Sequence, residues 1–223
     1  MRAKANLLPS LLLLLFVASI CPVHADTWLL PEKKKYYSPN KKYYLEVVPK
    51  KLENQLKYFQ DKVAGRSNPG APEGSKMTGP HALFYVSGGN GNYSKKTEFP
   101  LVNEVSPVSA IVSNDGAYVV TFDNWHSAGY GEDVLVIYRT DGSVVKKFGL
   151  EDLLTKGDIR MMPRSVSSIW WGGEHYIDDQ NNVLVLKVAA NRTNPWEKQA
   201  TFFELKIQLA TGQPLEEKRD RVA

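Results

Sequence analysis

Residues 107–148 alternate short runs of β-branched and aromatic side chains with clusters of turn formers. The apolar runs cover 108–112, 117–122 (AYVVTF), 133–139 (DVLVIYR) and 144–148. Between them stand Ser113-Asn114-Asp115-Gly116 and Thr140-Asp141-Gly142-Ser143, residues that take the positive φ of a tight hairpin at little cost. The pattern predicts four antiparallel strands in about forty residues, the size of one blade of a repeat-built β-sheet.

Weaker copies flank this unit. Upstream, Ser38-Pro39-Asn40-Lys41-Lys42 occupies the place of the turn, with strands expected at 43–48, 82–87 and 97–102. Downstream, strands are expected at 165–171, 183–188 and 201–208, followed by a turn at Thr211-Gly212. Two insertions break the spacing. Residues 49–63 carry Leu52, Leu56, Phe59 and Val63 at helical intervals, with Pro49 near the start and Gly65 past the end, which predicts a short amphipathic helix. Residues 66–80 are rich in Gly, Pro and Ser and read as an exposed flexible loop. Residues 149–164 contain material for one helical turn, and the charged tail 215–223 lacks periodicity.

The Ser113–Gly116 turn, the strand after it and the Asp141-Gly142 turn resemble the WD40-like repeat of TolB-type β-propellers, whose blades carry a Ser-Pro-Asp-Gly turn. The likeness is strongest over 107–148 and fades after 165, where Asp178-Asp179-Gln180-Asn181-Asn182 replaces the motif. It implies a fold and no particular activity. The expected architecture is all-β: a propeller-like array of about three four-stranded antiparallel blades (27–102, 107–148 and 165–215) with a short helical insertion. Closed propellers use four blades or more, so three would leave sheet edges open to a partner protein or a second copy of the chain.

The N-terminus changes the cellular picture. Arg2 and Lys4 precede an apolar stretch over 11–18, and Val23-His24-Ala25 has the character of a cleavage site, so residues 1–25 read as a signal peptide. A secreted or periplasmic location and a single domain over 26–223 follow. Cys21, the only cysteine, would carry a lipid in a lipoprotein, but the bulky Ile20 before it argues against that processing. The core must then hold without disulfides. No apolar segment reaches the ~20 residues of a membrane span. The formal net charge of +4 falls by two once Arg2 and Lys4 are removed, too small a balance to attract nucleic acid globally. The cluster Lys33-Lys34-Lys35, Lys41 and Lys42, interleaved with tyrosines, reads as a solvated strand edge rather than a phosphate site.

Candidate chemistry gathers in the loops between second and third strands. One runs over 123–132 and contains Asp123, Trp125, His126, Tyr130 and Glu132; another runs over 189–198 and contains Arg192 and Trp196. Flat rings, amides and a guanidinium on one surface suit a sugar, a peptide or an aromatic ligand, so Trp125, His126, Tyr130, Arg192 and Trp196 form the expected binding face. The competing structural role is that Trp125 and Trp196 plug the sheet ends. Trp170-Trp171 alternates one ring inward and one outward, and an outward Trp171 would offer a partner contact.

A catalytic alternative pairs His126 with Asp123, Glu132 or Asp133, with Glu174 and His175 in reserve, in a small hydrolase or lyase. No Gly-x-Ser-x-Gly elbow and no short-spaced histidine pair points to a nucleophile or a metal, and no cofactor is implied. Ser87–Tyr93 lacks the Gly-Lys-Ser/Thr ending of a phosphate loop and reads as a mobile hairpin. The preferred reading is a non-catalytic binding or protein-interaction module, the alternatives being that enzyme and a purely structural accessory subunit.

Overall fold

The computed structural model describes residues 28–76, 78–190 and 198–216. The segment read as a signal peptide, Cys21, Arg192 and Trp196 therefore lie outside the described residues. The protein is mostly β, with three four-stranded antiparallel sheets and little helix.

Each sheet is a simple meander. The first holds β1 (Lys34–Tyr37), β2 (Tyr43–Val48), β3 (His81–Gly89) and β4 (Asn92–Pro100). The second holds β5 (Pro107–Val112), β6 (Tyr118–Asn124), β7 (Leu135–Arg139) and β8 (Val144–Phe148). The third holds β9 (Tyr176–Asp178), β10 (Val183–Ala189), β11 (Phe202–Gln208) and β12 (Gln213–Pro214). The first strands draw together, with β5 against both β1 and β9.

The unbroken apolar runs of the second sheet exist because both its faces are covered. Residues of opposite parity point to opposite sides of a strand. Val119, Val136 and Tyr138 pack with Leu45, Val47 and Phe84 of the first sheet, whereas Val120, Phe122, Leu135 and Ile137 pack with Leu184, Leu186 and Leu205 of the third. At about 1.5–3 kcal/mol for each large apolar side chain removed from water, these two layers dominate stability.

The repeated turns join the sheets. In the turn after β5, the Ser113 hydroxyl accepts from Tyr118 N–H at 3.0 Å, as Ser38 Oγ accepts from Tyr43 N–H at 3.1 Å after β1. Asn40 donates its backbone N–H to Asn114 Oδ1 and its side-chain amide to Asn114 O, both at 2.8 Å. Asn114 in turn donates its N–H and its side-chain amide to the two Asp179 carboxylate oxygens, both at 2.6 Å. Gly116 sits at φ 70° with the Tyr43 ring over it, so that a Cβ there would lie 2.5 Å from Tyr43 Cε1. Its small size thus serves the contact between the first two sheets as well as the turn.

Several boundaries differ from expectation. The fourth strand of the first sheet starts at Asn92, because Asn90 and Gly91, both at positive φ, make a two-residue hairpin in place of a longer loop. The third sheet begins at Tyr176, and 165–171 forms no strand: only isolated pairings, Arg164 with Ile169 and Gly172 with Val188, mark that stretch. The helix α1 is confined to Gln55–Val63, capped by Asn54, whose Oδ1 accepts from Lys57 N–H at 2.8 Å. Residues before it are held extended by Lys50 N–H to Val105 O and Glu53 N–H to Gly70 O.

The expected apolar face of α1 is also wrong. Leu56 and Val63 are 67% and 91% exposed, while Tyr58 and Asp61 are buried. Asp61 accepts from Gly70 N–H at 2.9 Å and pairs with Lys57 and Arg66, and this pins the loop read as flexible over the Tyr58 side. The second insertion forms two short helices, α2 (Leu150–Leu153) and α3 (Lys156–Met161). Among the described residues no helix is long and apolar enough to cross a membrane.

Candidate functional site

Among the described residues the expected binding face divides into two places. Trp125 is buried: its indole N–H donates to Leu29 O at 2.8 Å, and its ring meets Tyr58 edge-on at 5.5 Å. His126 stands beside it, with Nε2 3.1 Å from the Tyr58 hydroxyl and its ring edge-on to Phe59 at 5.0 Å. Burial holds the His126 pKa below the usual histidine range. These two residues therefore seat α1 on the second sheet. Tyr130 and Glu132 border a separate hollow of about 700 Å³ beside α2. Arg192 and Trp196 are outside the described residues.

The carboxylates named as partners of His126 face elsewhere. Asp133 accepts from the Asn124 amide at 2.8 Å, and Glu174 is exposed. Among the described residues no three His, Cys, Asp or Glu side chains converge as a metal site would require.

Asp123 and His175 do meet around one space. A cavity of about 460 Å³ opens where the end of β6 faces the irregular segment before β9, lined by Trp28, Phe122, Asp123, Trp170, Trp171 and His175 together with aliphatic and small residues. The Trp28 indole reaches it from the N-terminal segment, with Nε1 3.4 Å from Ser167 Oγ. Trp171 is buried and Trp170 partly exposed, the reverse of the arrangement that would make Trp171 a partner contact.

Asp123 is held through its backbone and one of its two carboxylate oxygens. It adopts φ 57°, a left-handed conformation that Asp and Asn tolerate better than most residues. Its N–H donates to Val134 O at 2.6 Å and its carbonyl accepts from the Asn103 amide at 3.2 Å. Its Oδ1 accepts twice, from Gly129 N–H at 2.7 Å and from the Trp171 indole at 2.9 Å. Gly129 is required here: φ is 75° and a Cβ would lie 2.8 Å from Ile169 Cβ. The second oxygen, Oδ2, accepts no hydrogen bond from the described residues and is not sealed from solvent. Burial pushes the Asp123 pKa up to about 6, the two hydrogen bonds to the carboxylate offsetting only part of the desolvation.

His175 is a neutral wall. Its ring stacks between Phe122 at 4.7 Å and Trp171 at 4.8 Å. Nδ1 accepts from Lys187 N–H at 3.2 Å, which leaves the proton on Nε2. Burial lowers its pKa to about 4, so the imidazole carries no charge at neutral pH.

Both groups are visible in the sequence as acid–base candidates, but their real company is not. Phe122, Gly129 and Trp171 carry no motif, and Trp28 comes from a segment far from the loops. The one signal available was Trp170-Trp171 followed by Gly172-Gly173, an aromatic pair next to residues small enough for close packing. Gly172 indeed leaves room for His175, whose Cε1 a Cβ would approach to 2.5 Å.

Compared with protein families, with curated proteins and with solved structures, the chain finds no match in any of the three.

Proposed function

We propose that this protein is an exported, non-catalytic binding module with a propeller-like arrangement of three blades, and that it takes a small ligand in the cavity beside Asp123. The observation that carries this reading is the cavity's composition: aromatic side chains on several sides and a carboxylate with one oxygen left unbonded by the described residues, in a space of about 460 Å³. Binding pockets for small molecules have this character, mostly apolar walls with few, well-placed polar groups. The TolB-like turn supports the blade arrangement, because its Asn114 link to both neighbouring turns gives the three sheets one repeated contact.

Trp170→Ala tests the site, since the ring lines the cavity without belonging to the core clusters. Small aromatic amines, alcohols and sugars added to the wild type should give a saturable change in tryptophan emission. The variant should lose that affinity while its melting temperature stays within about 2 °C. A saturating ligand that binds the variant equally well would remove the cavity from the reading.

Partner binding enters through the free end of the array. The face of the first sheet turned away from the second carries Tyr37, Tyr44, Tyr85 and Tyr93, with Tyr44 stacked on Tyr85 at 4.4 Å. A homodimer covering this face and its edge follows from the reading. Sedimentation showing a monomer at every concentration up to the millimolar range would contradict it.

A further inference from the structure

The reading of this cavity as a ligand site leads to a narrower statement about what fills it. We infer that the ligand is a small organic cation, its ammonium group seated against Asp123 Oδ2 and enclosed by the rings of Trp28, Phe122, Trp170 and Trp171.

Asp123 carries a charge that no described residue compensates. No ion pair among the described residues includes Asp123. Its two hydrogen-bond donors, Gly129 N–H and the Trp171 indole, are neutral and both serve Oδ1. Buried carboxylates are ordinarily paired, because an isolated charge in a poorly solvated site is costly. The one basic side chain lining the cavity is His175, and its Nδ1 is occupied as an acceptor for Lys187 N–H, so it stands as a neutral ring instead of a counter-ion. The described residues thus present a negative group and leave the positive one to be supplied.

The walls favour the same choice. Faces of tryptophan and phenylalanine attract cations through the ring quadrupole, most strongly where water is excluded. An anion would meet Asp123 at close range. A polyol would need several directed acceptors as well as donors, and apart from Asp123 the lining side chains accept only through the hydroxyls of Ser109 and Ser168, the His175 Nε2–H and the Trp28 and Trp170 indoles being donors. Asp123 and His175 are the only titratable groups among the lining residues, so the charge state of the cavity near neutral pH is that of Asp123 alone.

Three probes of one shape test this: benzylammonium, benzyl alcohol and benzoate, titrated into the full chain by calorimetry and by tryptophan fluorescence at pH 7.5 and pH 5. Benzylammonium should bind about tenfold more tightly than benzyl alcohol at pH 7.5, with benzoate weakest. At pH 5 the preference for the amine should shrink while the affinity for the alcohol holds. In Asp123→Asn the amine and the alcohol should bind alike; should that variant not fold, the pH comparison on the wild type decides. Equal affinity of the wild type for amine and alcohol at pH 7.5 would overturn the cation and leave the ligand cavity standing. Binding of none of the three would overturn both.

Discussion

Replacing Asp123 by Asn removes a charge and little else. The amide oxygen still accepts from Gly129 and Trp171, and Asn accommodates φ 57° as readily as Asp. The carboxyl titrates at about 6 in the folded protein against an ordinary value of 3.8. At about 1.4 kcal/mol for each tenfold change in proton affinity, that difference is about 3 kcal/mol. Because the folded pKa is the raised one, this stabilisation is complete below pH 4 and disappears as pH rises through about 6. The variant lacks the dependence, so its stability relative to wild type should rise by about 2–3 kcal/mol between pH 4 and pH 8. His175 titrates in both proteins and cancels in the comparison. Urea unfolding followed by tryptophan fluorescence at five pH values, with m checked for constancy, measures the gap directly. A variant whose stability relative to wild type stays flat with pH, or falls as pH rises, would refute the claim that Asp123 is held as a poorly solvated carboxyl with no ion pair among the described residues.

His175 should titrate near pH 4 by NMR. Its folded pKa is the lowered one, so the stability it contributes is present above 6.5 and is lost as pH falls through 4; a midpoint near 6.5 would contradict the stacked, buried ring. Gly116→Ala places a Cβ 2.5 Å from the Tyr43 ring at φ 70°, and should cost about 2 kcal/mol or more in urea unfolding. Trp125→Ala should cost about 3–5 kcal/mol, because it empties the seat of α1 and leaves Leu29 O without its indole donor. An unchanged melting temperature for that variant would return Trp125 to the binding face.

Much of the fold was legible because the elements are encoded locally. The strands of the second sheet follow from AYVVTF and DVLVIYR between Gly-containing turns, and the count of three sheets follows from degenerate copies of one turn. Mistakes fell where a local pattern had more than one solution. Leu56 and Val63 repeat at helical intervals, yet α1 turns Tyr58 and Asp61 inward, since Trp125 and Gly70 offer those two their partners. Residues 165–171 are apolar enough for a strand, but their backbone is spent on single contacts such as Ile169 N–H to Ala128 O, which closes the cavity wall.

Sequence by itself determined the meander of the second sheet, most strands of the other two and the presence of Asp123 and His175, because side-chain periodicity and turn chemistry act over a few residues. Only the tertiary structure decided which groups share a site. Asp123 comes from the end of β6, Trp171 and His175 from the stretch before β9, and Trp28 from the N-terminal segment; packing three sheets brings them together. That packing also creates the desolvation that raises one pKa and lowers the other. Desolvation depends on everything that surrounds a group, so it is a property of the assembled fold and of no short stretch of chain.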